Sequence, residues 1–75
     1  MEPSEIFELI VKADERLKYA TAARGDQRAR QAGELLEQAR REAESIGNEA
    51  LVQQATVRLA DLAAMLEGGA EDDAT

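Results

Sequence analysis

The chain has 75 residues, a net charge of -7 and neither cysteine nor histidine. This composition excludes disulfides, zinc sites with thiolate or imidazole ligands, and Cys or Ser-His nucleophiles, and the negative charge disfavours nucleic acid and anionic membranes as ligands. A domain this short buries only about 60% of its unfolded surface, so self-association or docking onto a partner is the remaining way to reinforce it.

The sequence predicts a soluble cytoplasmic protein. Its apolar runs fall short of the roughly 20 residues that a membrane-spanning helix needs. The first residues, MEPSEIFELIVKADE, are acidic and lack the basic start and the cleavage site of a signal peptide.

A first helix is predicted over residues 4–24. Ser4 is expected to cap its start, and Gly25, which enters the left-handed backbone region easily, is expected to end it. Apolar residues recur at steps of four and three, which is typical of a helix with one buried side. This stripe consists of Ile6, Ile10, Ala13, Leu17 and Ala20.

A second helix is predicted over residues 27–46, with Asp26 as its N-terminal cap. Its remaining faces are strongly polar, so we expect them to face water, with Glu37 placed to pair with Arg41 one turn later. Gly33 costs about 1 kcal/mol relative to Ala inside a helix. Two explanations for a glycine at this position remain open: a neighbouring helix approaches closely, or the glycine stands by chance at an exposed edge. The apolar stripe consists of Ala29, Ala32, Leu36, Ala39, Ala43 and Ile46.

A third helix is predicted over residues 49–67. Gly47 is expected to end the second helix and Asn48 to cap the third. The pair Gly68-Gly69 is expected to stop the third helix, which leaves a folded domain of residues 1–67 and a disordered acidic tail of residues 68–75. The apolar stripe consists of Val52, Ala55, Leu59, Leu62 and Leu66.

The connections between the predicted helices are very short, at Gly25-Asp26 and at Gly47-Asn48. Short connections force consecutive helices to lie side by side in opposite directions. The sequence therefore predicts an all-α fold of three antiparallel helices.

Helices one and three carry apolar residues outside their stripes. A helix that is apolar on two sides is buried on two sides, and three short helices cannot cover all of this surface. We therefore expect a second protein surface, either a partner or another copy of the chain. The expected partner or dimer interface consists of Phe7, Ile10, Val11, Val57, Ala64 and Met65.

No catalytic, cofactor-binding or metal-binding residue is predicted, so an enzyme is not expected. The acidic residues fall on polar faces or at termini, where no burial shifts their pKa values for catalysis. Asp61 lies on a mostly apolar helix and is expected to pair with Arg58. The letters RGD at residues 24–26 are explained by the predicted helix corner.

Three residues of the second helix carry a family resemblance. Ala32, Leu36 and Ala39 have the spacing of the second-helix signature A-x3-F-x2-A of tetratricopeptide (TPR) repeats, with Leu in the aromatic place. Other repeat-like positions match the Leu-Gly pair of the first helix in two successive repeats: Tyr19, Ala20, Leu59 and Ala60. The chain thus resembles about one and a half TPR repeats over residues 13–66, arranged as helical hairpins. It is more faintly similar to MIT-like three-helix domains.

The resemblance implies a non-catalytic adaptor that recognises another protein. One and a half repeats fall short of the three or more that a stable array needs, so we expect the chain to bind a protein partner or itself, as a homodimer. The alternatives are a structural homo-oligomer with no outside ligand, or an acidic decoy of a basic protein. Nucleic acid, membrane, metal and cofactors are not expected as ligands.

Overall fold

The computed structural model describes residues 1–18 and 25–74, and their side chains except those of residues 26 and 66–74. Three helices form, namely α1 (Pro3–Lys18), α2 (Gly25–Ser45) and α3 (Glu49–Ala74), and the described residues contain no strand. The predicted all-α fold of three helices is confirmed. Tyr19 and Ala20 lie outside the described residues.

α2 is the central helix, because it packs against both α1 and α3 while these two touch each other little. The amino group of Met1 lies 3.8 Å from the carboxylate of Glu42 near the end of α2. Near the beginning of α2, Gln31 Oε1 accepts a hydrogen bond of 3.5 Å from Arg16 Nη1, close to the end of α1. α1 and α2 therefore run in opposite directions.

The corner between α2 and α3 has the geometry expected of Gly47 and Asn48. Gly47 has a φ of 70°, and its N–H donates to Glu44 O while the N–H of Asn48 donates to Ala43 O. This pair of bonds satisfies carbonyl groups that the end of α2 leaves without partners. Asn48 Oδ1 then accepts from the N–H of Leu51 at 3.2 Å, which caps α3. α3 turns back along α2 as a result.

α1 begins two residues earlier than a cap at Ser4 would place it. The carbonyl of Glu2 accepts from the N–H groups of Glu5 and Ile6, and the Glu5 side chain accepts from the N–H of Glu2 at 3.0 Å. Glu2 is therefore the cap, and Pro3 is the first helical residue. Proline suits this position because its φ is already helical and its missing N–H would have no partner there.

The predicted corner at Gly25 and Asp26 is wrong in its details. Both residues belong to the first turn of α2, and Gly25 has no left-handed φ. Gly25 therefore does not end a helix, and Asp26 follows the helix start instead of capping it. The first N–H groups of a helix have no partner within it, so the helix begins at either residue without losing a bond.

α3 is longer than predicted, because its backbone passes through Gly68 and Gly69 and ends at Ala74. The sequence predicts a disordered tail from residue 68, whereas the structure gives residues 68–74 a helical backbone. Glycine lowers helix propensity by about 1 kcal/mol but keeps its N–H and carbonyl groups. Two glycines therefore weaken the helix without breaking its hydrogen-bond ladder.

The core lies where the predicted stripes of the three helices meet at α2. Ile6, Ile10 and Leu36 are its largest fully buried side chains. Ile46 is predicted in this stripe but is 41% exposed, because α2 ends one residue earlier and the chain turns away there. The buried apolar residues are Ile6, Ile10, Ala13, Ala29, Ala32, Leu36, Ala39, Ala43, Leu51, Ala55 and Leu62.

Gly33 faces α3. A Cβ atom built on Gly33 would lie 3.4 Å from Leu62 Cδ2, which is an ordinary van der Waals contact. Gly33 is in the first half of α2 and Leu62 in the second half of the described side chains of α3, so these two helices also run in opposite directions. The approach of α3 is close, but it does not require glycine.

Candidate interaction surfaces

One side of α1 borders α3 and is partly apolar. Phe7, Val11 and Asp14 follow one another at steps of four and three, which places them along one side of the helix. The Asp14 side chain contacts Arg58 of α3, so this side of α1 points towards α3. Phe7 is 49% exposed and Val11 is 38% exposed. Both side chains therefore leave apolar surface in water.

α3 contributes the matching side of the same surface. Gln54, Arg58 and Met65 are spaced by four and seven residues, so they lie along one side of α3. Met65 is 56% exposed. We call the surface formed by the two helices the α1–α3 face, and it consists of Phe7, Val11, Asp14, Gln54, Arg58 and Met65.

Asp14 and Arg58 form the polar centre of the α1–α3 face. Arg58 Nε donates to both carboxylate oxygens of Asp14, at 3.1 and 3.2 Å, and Arg58 Nη1 donates to the carbonyl of Gln54 at 3.3 Å. The predicted pair of Arg58 with Asp61 is therefore wrong. Arg58 projects towards α1, and a carboxylate on the neighbouring helix meets it there. Asp14 and Arg58 are 44 positions apart, so no local spacing in the sequence indicates this contact.

A second exposed surface lies on the side of α3 that faces away from α2. Gln53, Val57, Ala60 and Ala64 follow one another at steps of four, three and four, and all four are exposed. Val57 is 51% exposed. We call this stripe the outer face of α3. It carries no charge and is lined mostly by small apolar side chains.

A groove of about 650 Å³ opens at the N-terminal end of the outer face. Val52, Gln53, Thr56 and Val57 supply its α3 wall. The remaining lining residues are Glu44, Gly47 and Glu49. The groove is thus apolar along its length and acidic at the end nearest the corner.

The structure does not bring the six predicted interface residues together. Phe7, Val11 and Met65 lie on the α1–α3 face, whereas Val57 and Ala64 lie on the outer face of α3. Ile10 is fully buried, so its prediction as an interface residue is wrong. Ile10 faces α2 because it shares the stripe of the core residues Ile6 and Ala13.

The repeat-like positions have different surroundings. Ala32, Leu36 and Ala39 are fully buried in the core. Leu59 is half-buried and packs against the core, and Ala60 is exposed. The signature positions of α2 are thus packing positions, while the corresponding small residue of α3 lies on the outer face.

The polar side of α2 holds a local charge network. Arg40 Nη2 donates to Glu37 at 2.7 Å, and Arg40 Nη1 donates to Glu44 at 3.1 Å. The hydrogen bond and charge of Glu37, and then the charge of Glu44, raise the pKa of Arg40 above its ordinary value. Glu37 therefore pairs with Arg40 instead of the predicted Arg41. Residues three apart on a helix are as close as residues four apart.

Among the described residues, no group of three or more acidic side chains is arranged to hold a metal ion. Within the same part of the chain, no helix is both long and apolar enough to cross a bilayer. Comparisons with protein-family models, with curated proteins and with solved structures found no match. The α1–α3 face and the outer face of α3 are the candidate functional surfaces of the described residues.

Proposed function

We propose that this chain is a non-catalytic interaction module that binds a helix or peptide of a partner protein through the exposed apolar side chains of α1 and α3. The observation that carries the proposal is the exposure of Phe7, Val11 and Met65 on the α1–α3 face. Phe7 and Val11 lie one helical turn apart, and neighbouring exposed apolar side chains are typical of protein interaction sites. Phe7 supplies a large ring of the kind that contributes strongly to binding when a partner buries it.

The polar centre of the α1–α3 face favours binding of a specific partner over non-specific hydrophobic binding. Asp14 and Arg58 are exposed by 49% and 34% of their side chains, so both retain capacity for hydrogen bonds with a bound chain. A polar pair within an apolar surface selects the position in which a partner binds. A partner that buries the pair without forming hydrogen bonds to it loses binding free energy, because both polar groups are removed from water.

The likeness to TPR repeats supports the same class of function. The family recognises proteins without catalysis, and the signature positions Ala32, Leu36 and Ala39 are packed here as scaffold positions. The TPR-like adaptor remains part of the proposal, as does the cytoplasm as its location.

Affinity purification from the native cell, followed by mass spectrometry, tests the proposal. Phe7→Glu is expected to lose proteins that the wild type retains, because burial of an unpaired carboxylate at the contact is costly. The matched control is Gln27→Glu, which adds the same charge at an exposed position of α2. Circular dichroism must show both variants folded. Recovery of the same proteins with both variants would exclude the α1–α3 face as the binding surface.

A homodimer is the second candidate, because another copy of the chain would cover the same apolar side chains. Multi-angle light scattering at micromolar concentration distinguishes the two candidates. A monomer is expected for the interaction module. A dimer that Phe7→Glu dissociates and Gln27→Glu does not would establish self-association instead.

A further inference from the structure

We infer that the outer face of α3 binds an amphipathic helix of a partner protein, with small apolar residues along its contact side and Lys or Arg along its flanks. The inference goes beyond the proposed function, because it assigns a second binding surface, separate from the α1–α3 face, and the chemistry of the partner that binds there. The shape of the outer face indicates a helix as the occupant, and its flanking charges indicate a basic one.

The shape follows from the side chains of the stripe. Gln53, Val57, Ala60 and Ala64 form a straight, uncharged row on the helix surface, and α2 covers the opposite side of α3 through residues such as Ala55. Small side chains let the axes of two helices approach to about 8 Å. A helix laid along the row would therefore pack closely over its whole length.

The charge on both flanks of the row is negative. Glu49 lies four residues before Gln53, and Asp61 lies four residues after Val57. A step of four residues turns about 40° beyond a full helical turn, so the two carboxylates lie at opposite edges of the row. Neither carboxylate forms an ion pair with the described residues. Glu44 also lines the groove at the N-terminal end of the row, but its carboxylate is paired with Arg40.

α3 has almost no positive charge of its own to balance these groups. Its sequence contains six acidic residues and a single basic one, Arg58. Arg58 is turned away from the outer face and is paired with Asp14 of α1. Cations of a bound helix would therefore meet carboxylates at both edges of the contact, which speeds and orients association.

A second copy of the chain fits the outer face less well. Two α3 helices packed in parallel through this row would bring the carboxylates of Glu49 and Asp61 in one copy near the same carboxylates in the other. No basic side chain of α3 reaches the row to separate them. Like charges at an interface disfavour the pairing, so the basic partner is the better match.

The test is a nuclear magnetic resonance titration of the full chain with a synthetic helix of about 18 residues, or five helical turns. This probe has Ala and Leu on one side and Lys on both flanks, and the control peptide has Glu in place of every Lys. The amide signals of Gln53, Val57, Ala60 and Ala64 are expected to shift with the Lys peptide and not with the Glu peptide. Ala60→Glu, with an unchanged circular dichroism spectrum, is expected to abolish the shifts.

Charge variants separate the outer face from the general negative charge of the chain. Glu49→Gln combined with Asp61→Asn is expected to weaken binding of the Lys peptide about tenfold, as two exposed ion pairs are lost. Glu8→Gln combined with Glu15→Gln removes the same charge from exposed positions of α1 and is expected to change binding less than about twofold. Equal weakening by both double variants overturns the inference.

Three further outcomes overturn the inference: equal binding of the two peptides, no binding at about 1 mM peptide, or shifts confined to the amides of Phe7 and Val11. The last outcome leaves the proposed function intact and moves the binding to the α1–α3 face. The proposed function fails separately, when the native cell yields no protein whose recovery Phe7→Glu abolishes.

Discussion

Arg58 of α3 holds Asp14 of α1 through two hydrogen bonds of its Nε atom, at 3.1 and 3.2 Å. The two residues are 44 positions apart, and their contact joins helices that otherwise touch little. Because both side chains are partly exposed, the pair stabilises the fold only modestly, by about 0.2–1 kcal/mol. The pair also links α1 and α3 across the α1–α3 face.

A double-mutant cycle with Asp14→Asn and Arg58→Gln measures this contact. We expect a coupling free energy of about 0.2–1 kcal/mol in urea unfolding at low salt, because each single variant removes the same ion pair. The coupling should fall in about 1 M salt, where screening acts within about 3 Å. Additive effects of the two substitutions would show that the pair contributes nothing to stability.

Gly33→Ala is expected to stabilise the chain by up to about 1 kcal/mol. Alanine favours the helix more than glycine does, and the new methyl group meets Leu62 Cδ2 at an ordinary contact distance of 3.4 Å. Thermal unfolding followed by circular dichroism gives the change. A lower midpoint for Gly33→Ala would mean that α2 and α3 approach more closely than the structure has them.

Gly47→Ala is expected to have the opposite effect, with a loss of about 1–2 kcal/mol. Gly47 has a φ of 70°, and residues with a Cβ atom adopt this left-handed region at a cost. The effect of a Gly→Ala substitution on stability is thus expected to have opposite signs at Gly33 and Gly47. Gly47→Asn is the informative control, since asparagine tolerates this conformation better and should recover part of the loss. Equal midpoints for Gly47→Ala and the wild type would contradict the assigned corner.

Phe7 and Ile10 allow a direct comparison of an exposed and a buried apolar residue on the same helix. Ile10→Ala is expected to cost about 2–5 kcal/mol because it leaves a cavity in the core. Phe7→Ala should cost less than about 1 kcal/mol, because half of the ring already lies in water. Urea unfolding of the two variants gives both values. A large loss for Phe7→Ala would assign the ring to the core and remove it from the α1–α3 face.

The sequence is most informative where structure depends on residues close together in the chain. The corner at Gly47 and Asn48 follows from the backbone freedom of one residue and the short side chain of the next. The buried stripe of α2 follows from its periodicity. The predicted start of α2 is wrong, because the first turn of a helix accepts several residue types and no single residue determines where the helix begins.

The sequence predicts the residues of the candidate surfaces less accurately than it predicts the helices. The excess of apolar residues on α1 and α3 indicated that surfaces exist, yet Ile10 was assigned to one of them although it is buried. Arg58 was expected to pair with Asp61 on its own helix. Its actual partner is Asp14. This contact depends on the angles at which α1 and α3 pack on α2, and packed side chains from all three helices determine these angles.

The central position of α2 also bears on how fast the chain folds. α1 and α3 each pack on α2 and share few contacts, so most native contacts join segments that are neighbours along the chain. Closing such short loops costs little entropy, and helical proteins with this low contact order fold within microseconds to milliseconds. We therefore expect the core residues of this chain to become buried on that timescale, whereas Phe7, Val11, Val57 and Met65 stay exposed after folding.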